Sequence, residues 1–191
     1  MAGALTMGRA YFEEMYAQAN DPWAFESSWY EQRKYALTLA ALPRERYRRA
    51  FEPGCSNGVL SSLLAERCDE LLAMDLLPSV VARARARLAS HPGARVVEGA
   101  IPCDWPRGTF DLIVLSEVAY YLTGSGLRET LLRLRQSMCP GGTLVSVHYL
   151  LETNYPLKGR RVGEVLDETR WLKRTANYAE ESFELLVYEA C

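Results

Sequence analysis

The ten residues FEPGCSNGVL, positions 51 to 60, combine an acid, two glycines four apart and a return to apolar side chains. Gly54 and Gly58 can adopt positive φ or let a ligand approach the main chain closely. A helix beginning at Gly58 would add unpaired N–H groups at its first turn. Asp75 follows about 20 residues on, the spacing at which a carboxylate accepts both ribose hydroxyls of a nucleotide. The dinucleotide fingerprint G-x-G-x-x-G does not fit, because position 56 is serine and Glu52 precedes the loop. An adenosine ligand without a pyrophosphate suits the loop better. A tight turn that binds nothing is the competing reading of two glycines alone. Glu52, Gly54, Gly58 and Asp75 together favour binding.

These residues need a scaffold that brings strand ends together. RRAFEP reads as a strand ending at Glu52, and VLSSLLAER carries apolar residues at helical spacing. ELLAMD (70–75) is a short buried strand, Pro78 suits the start of a helix, and ARVVEG (94–99) is a third strand. FDLIVLSE (110–117) is apolar on both faces, as a central parallel strand requires. SGLRETLLRLRQSM (125–138) is an amphipathic helix, which Pro140-Gly141-Gly142 ends, and TLVSVHYL is a further strand. The alternation from about residue 48 to 150 predicts an α/β fold, a doubly wound and mostly parallel sheet. Residues 1–47 are rich in aromatics and predict a helical cap over a core of residues 48–191, the two forming one domain. In the tail, RRVGEVLDE reads as a helix. WLKRTANY and FELLVYEA read as an antiparallel pair closing the sheet.

Bulk properties narrow the function. The chain has 191 residues, nearly half of them hydrophobic, which suits one domain with a sizeable core. A net charge of −2 with mixed signs gives no footprint for nucleic acid or an anionic membrane. No apolar run reaches the length of a membrane span, and the first residues carry no cleavage pattern, so a cytoplasmic chain is expected. Five scattered cysteines and two histidines predict unpaired thiols and no metal site.

EPGCSNG resembles the E/D-x-G-x-G-x-G first motif of class I S-adenosylmethionine-dependent methyltransferases, with Ser56 at the middle glycine. Asp75 matches the ribose-binding acid of that family. FDLIVLSEVAYYL resembles its fourth strand and following loop, and MCPGGTLV its Pro-Gly-Gly turn before the fifth strand. A narrower resemblance covers almost the whole chain. DPWAFESSWYEQRKYALTLAALP, RRAFEPGCSNGVLSSLLAERCDELLAMD, LSEVAYYL and VSVHY…NYPLKG are together similar to the NodS-like nodulation N-methyltransferases. That family methylates the free amine of a deacetylated chitooligosaccharide. The resemblance implies a Rossmann-like class I fold with an antiparallel last strand, S-adenosyl-L-methionine as methyl donor, and a sugar-like small-molecule amine as acceptor. It implies a monomer or homodimer with no nucleic-acid or membrane partner.

Methyl transfer to an amine is an in-line displacement, so the protein chiefly aligns donor and acceptor. Glu117, at the end of the fourth strand, is the first candidate to hold the amine and take its proton; orienting the donor is its alternative role. Tyr120 can face the sulfonium, and Tyr121 is its neighbour. His148 ends the fifth strand and can assist the acceptor, with Tyr149 beside it. In the cap, the resemblance places Arg33 and Tyr30 on the carboxylate of the donor's methionine end, while Trp23 and Trp29 anchor the cap. Donor contacts are expected at Tyr30, Arg33, Glu52, Gly54, Cys55, Gly58, Asp75, Leu76, Ala100, Ile101, Ser116 and Glu117. Trp105 either covers the adenine or fills the core edge, and Asp104 is the substitute for a missing adenine-binding acid. Arg160, Arg161 and Gly163 stand where the family tends to be acidic and then histidine-bearing. This departs from the chitooligosaccharide pattern, and a smaller aminosugar, an aminocyclitol glycoside or an acceptor with a negative group is each compatible with it. The alternatives are a small-molecule O-methyltransferase, a nucleotide-dependent oxidoreductase, and a non-catalytic AdoMet-binding protein.

Overall fold

The computed structural model describes residues 7–191; residues 1–6, the first part of the expected cap, lie outside the described residues. Among the described residues, seven strands form one sheet in the order β3-β2-β1-β4-β5-β7-β6. β1 (Tyr47–Pro53), β2 (Cys68–Asp75), β3 (Ala94–Glu98), β4 (Phe110–Ser116) and β5 (Met138–Tyr149) run parallel. β7 (Phe183–Ala190) is antiparallel to both β5 and β6 (Leu172–Ala179), the closing pair the tail pattern predicts. The chain leaves β1 for β2 on one side and returns to β4 on the other. That reversal opens a crevice at the carboxyl ends of β1 and β4.

Period-two alternation decides which side chains meet which helices. On one face Ala50, Leu112, Val114, Val145 and Val147 pack with Tyr35 and Leu42 and with Leu60 and Leu64. The first two come from or just after α2 (Trp29–Ala40), the second two from α3 (Val59–Ala65). On the other face Phe51, Ile113, Leu115 and Leu144 meet Leu127 and Leu134 of α5 (Gly124–Ser137) and Val162 and Leu166 of α6 (Gly159–Asp167). Val81 and Ala84 of α4 (Pro78–Arg87) cover Ala73 and Val96. The remaining helix is α1 (Arg9–Gln18), and a 3₁₀ turn spans Ala119–Tyr121.

One expectation is corrected. α5 ends at Ser137 and β5 starts at once at Met138, so Pro140-Gly141-Gly142 lies within the strand's span. There the pairing with β4 shifts register between Phe110 and Leu112. The three residues form an irregularity in the strand and do not terminate the helix.

Candidate donor and acceptor cleft

The loop between β1 and α3 is shaped by its glycines. Gly54 has φ of 75°, and a Cβ there would sit 2.8 Å from Val118 Cγ2. Gly58 has φ of 80° as the residue before α3, and a Cβ there would meet the Ala84 backbone at 3.1 Å. Glycine alone satisfies both the left-handed backbone and the close approach. Ser56 also takes positive φ, at 50°. Its N–H donates to Asp75 Oδ2 at 2.9 Å, and its hydroxyl meets that of Tyr16. The serine at the middle position is thus held by its own side chain and by the acid of the next strand.

Asp75 Oδ1 accepts the Leu77 N–H at 3.2 Å. Burial pushes the carboxyl up, while the N–H groups of Leu77 and Ser56 favour the charged form. A carboxylate has about four acceptor positions, so roughly two remain for a diol. Glu52 is fully buried; desolvation raises it to about 8, against the hydrogen bond from Ser61. It is therefore largely neutral at neutral pH.

Asp75 lies at one end of a cleft of about 480 Å³, a size typical of small-molecule sites. Cys55, Leu76, Ala100 and Ile101 line this end, and Gly54, Glu52 and Ser116 the middle. Tyr30, Glu117 and Tyr120 line the other end. α1 contributes Phe12 and Tyr16, and the segment before α2 contributes Trp23 and Phe25.

Glu117 has φ of 54°, a strained value for a glutamate, and its N–H is tied to Val147 O at 2.8 Å. Its Oε1 accepts Lys34 Nζ at 2.8 Å, and its Oε2 accepts the Tyr120 hydroxyl and the Tyr149 N–H. Lys34 also donates to Glu31 Oε1 at 2.9 Å. Lys34 is 2% exposed and Glu31 6%. Burial alone would lower the lysine, but Glu117 and Glu31 outweigh it and hold it above the ordinary value. Burial outweighs Lys34 in the case of Glu31 and raises its carboxyl.

Several expected positions lie elsewhere. Arg33 does not line the cleft; it pairs with Glu180 at 2.8 Å and with the Tyr178 hydroxyl, on the opposite side of α2. His148 is 1% exposed and has both ring nitrogens engaged. Nε2 accepts the Ala119 N–H at 3.2 Å, and Nδ1 meets Ser146 Oγ at 3.1 Å. Desolvation lowers it to about 4, so it is a neutral brace for the 3₁₀ turn, with no face on the cleft. Gly58 shapes the loop without lining the cleft. Trp29 is 73% exposed and anchors nothing, whereas Trp23 stacks on Phe25 within the cleft. Trp105 packs on Phe51 and donates to Ser137, a core-edge role. Asp104 accepts the Ala100 N–H at 2.9 Å and so shapes the turn after β3.

The charged residues that sequence reasoning missed are Glu31 and Lys34. With Tyr35 and Thr38 they form the buried face of α2, at positions i, i+3, i+4 and i+7. That spacing was the available signal: two opposite charges stand where a core helix carries apolar residues.

The family model for nodulation protein S (NodS) matches residues 11–147. The nodulation protein S of Rhizobium tropici is 31% identical over 129 residues, covering 66% of this chain and 54% of that protein. The match thus spans about half the length of the curated relative. A solved putative methyltransferase from Pseudomonas syringae is 45% identical, covers 85% of this chain and 99% of its own, and superposes with a TM-score of 0.76. The N-methyltransferase NodS of Bradyrhizobium japonicum WM9, solved in complex with S-adenosyl-l-homocysteine, superposes with a TM-score of 0.86 over 95% of this chain and 97% of its own, at 23% identity. The fold is therefore that of class I methyltransferases, as the resemblance implied.

Proposed function

The chain belongs to the NodS family, and from that premise we propose that it is an S-adenosylmethionine-dependent N-methyltransferase acting on a primary amine of a small, sugar-like molecule. One observation carries the reading: a single cleft joins an adenosine-type site at Asp75 to a cluster of carboxylates at Glu31 and Glu117. Asp75 takes the ribose hydroxyls with its remaining acceptor positions. Leu76, Ala100 and Ile101 enclose the base. The main chain at Gly54 and Cys55 follows the ribose and methionine portion toward Ser116 and Glu117. Tyr30 closes the methionine end from α2.

When bound, the donor supplies a methyl group on a positively charged sulfur. This chain's residues align the acceptor nitrogen behind that methyl and exclude water. Orientation of this kind supplies roughly 7–11 kcal/mol in favourable cases. The Tyr120 ring stands by the developing charge; such a ring attracts a cation by up to ~2 kcal/mol when desolvated. Glu117, fixed by Lys34 and the Tyr149 N–H, orients the acceptor side.

Incubation with AdoMet and a matched panel of primary amines and alcohols tests the reading by mass spectrometry. The expected outcome is a gain of one methylene on aminosugars. Methylation confined to alcohols, or none by a protein that binds the donor, contradicts it.

A further inference from the structure

The carboxylates at the acceptor end differ in what they have left to offer. Glu117 accepts three hydrogen bonds, from Lys34 at Oε1 and from the Tyr120 hydroxyl and the Tyr149 N–H at Oε2, so about one of its four acceptor positions is left. Glu31 gives Oε1 to Lys34, but its Oε2 is buried and has no hydrogen-bond partner. The Tyr35 hydroxyl lies beside this carboxyl without reaching Oε2 in hydrogen-bonding geometry. A buried acceptor left unpaired costs about 1–3 kcal/mol, and more when charged, so its retention in a ligand cleft needs a reason. Glu31 lines the same cleft as Glu117.

The groups around it set the charge. Tyr30, Lys34 and Tyr35 face it from its own helix, and Glu117 from the loop after β4. Two acids share one lysine, so with both acids ionised the cluster carries one net negative charge, on the wall of the cleft that Glu31 lines. A positively charged N–H donor complements it.

We infer that Glu31, not Glu117, is the base of the amine-methylating reaction, which this inference takes as given. Glu31 Oε2 receives an N–H of the acceptor's ammonium and takes that proton, leaving the nitrogen with a free electron pair. The pair forms the bond to the donor's methyl carbon as the carbon–sulfur bond breaks, and the electrons of the broken bond stay on sulfur. The product leaves as the methylated ammonium, and Glu31 returns its proton to water. Lys34 is a positioning residue that holds the Glu31 carboxylate, and Glu117 fixes Lys34 in turn.

The test uses Glu31→Gln, which keeps shape and removes the base, and Glu31→Asp, which keeps charge and shortens reach. Glucosamine and benzylamine are the probes, titrated by calorimetry into protein loaded with S-adenosylhomocysteine. The wild type is expected to bind at least one of them. Glu31→Gln is expected to lose at least tenfold in amine affinity while S-adenosylhomocysteine affinity stays within about twofold. With AdoMet, the Gln variant is expected to lose roughly 100-fold in kcat/KM at neutral pH. That deficit shrinks above the amine's own pKa, where the amine arrives already deprotonated. Glu31→Asp retains part of the pH-dependent activity. Unchanged amine binding in both variants overturns the inference, as does a pH-independent deficit. A matching loss of S-adenosylhomocysteine affinity also overturns it, because Oε2 would then serve the donor's own ammonium. So does a wild type that binds S-adenosylhomocysteine but neither amine. Failure to bind S-adenosylhomocysteine is a separate result that removes the methyltransferase reading itself.

Discussion

Lys34→Met is expected to destabilise the protein by about 3–5 kcal/mol, the range for removing one partner of a buried ion pair. Methionine nearly matches the lysine stem in length, so the loss comes from charge. Without the ammonium, Glu31 and Glu117 confront each other in a buried cleft wall with no cation between them. In a chain of this size the change lowers the melting temperature by roughly 10 °C. The sign of its pH dependence is fixed. Unpaired buried carboxylates have folded-state pKa values above their unfolded ones, so the variant keeps its stability at low pH and loses it as pH rises. The gap from wild type should therefore narrow on acidification, and adding Glu31→Gln to Lys34→Met should recover part of it. Urea denaturation between pH 5 and 8 measures both effects. A loss below about 1 kcal/mol, constant with pH, would mean that the network is worth no more than a surface pair.

Asp75→Ala is expected to abolish most donor affinity while leaving the sheet intact. The carboxylate fixes the Ser56 and Leu77 N–H groups and, in the proposed complex, the ribose diol. Hydrogen bonds to a charged group are worth about 1.5–3 kcal/mol each, so the loss of two diol contacts gives about 3 kcal/mol, roughly 100-fold in affinity. Calorimetry with S-adenosylhomocysteine checks this. An affinity within threefold of wild type would remove Asp75 from the ligand and leave it a loop brace.

The sheet was legible in the chain because its strands carry the simplest pattern. FDLIVLSE is apolar on both faces, and Phe110, Leu112, Ile113, Val114 and Leu115 are all fully buried. The glycine loop was legible because positive φ and close approach have few sequence solutions, and Gly54 and Gly58 meet both demands. The middle of β5 was obscured because Pro-Gly-Gly looks like an end, whereas a register shift absorbs it within the strand.

The cleft's charged wall was the least legible part. Arg33 has the chemistry to grip a carboxylate, but it lies about 200° around the helix from Glu31. That turn sends it to Glu180 and Tyr178. Lys34, one residue on, faces inward, and a buried lysine is rare enough that a reader of sequence assigns it to solvent. His148 stands at a strand end as expected, but it shares its face with Ser146 and is covered by the 3₁₀ turn. Position along the strand was readable; which side the neighbouring elements cover was not.

A crystal structure of the chain with S-adenosylhomocysteine tests the central claim most directly. The account predicts the ribose hydroxyls within hydrogen-bonding distance of the Asp75 carboxylate and the homocysteine end running past Gly54 toward Glu117. Well-defined ligand bound elsewhere, or a ribose turned away from Asp75, would contradict it.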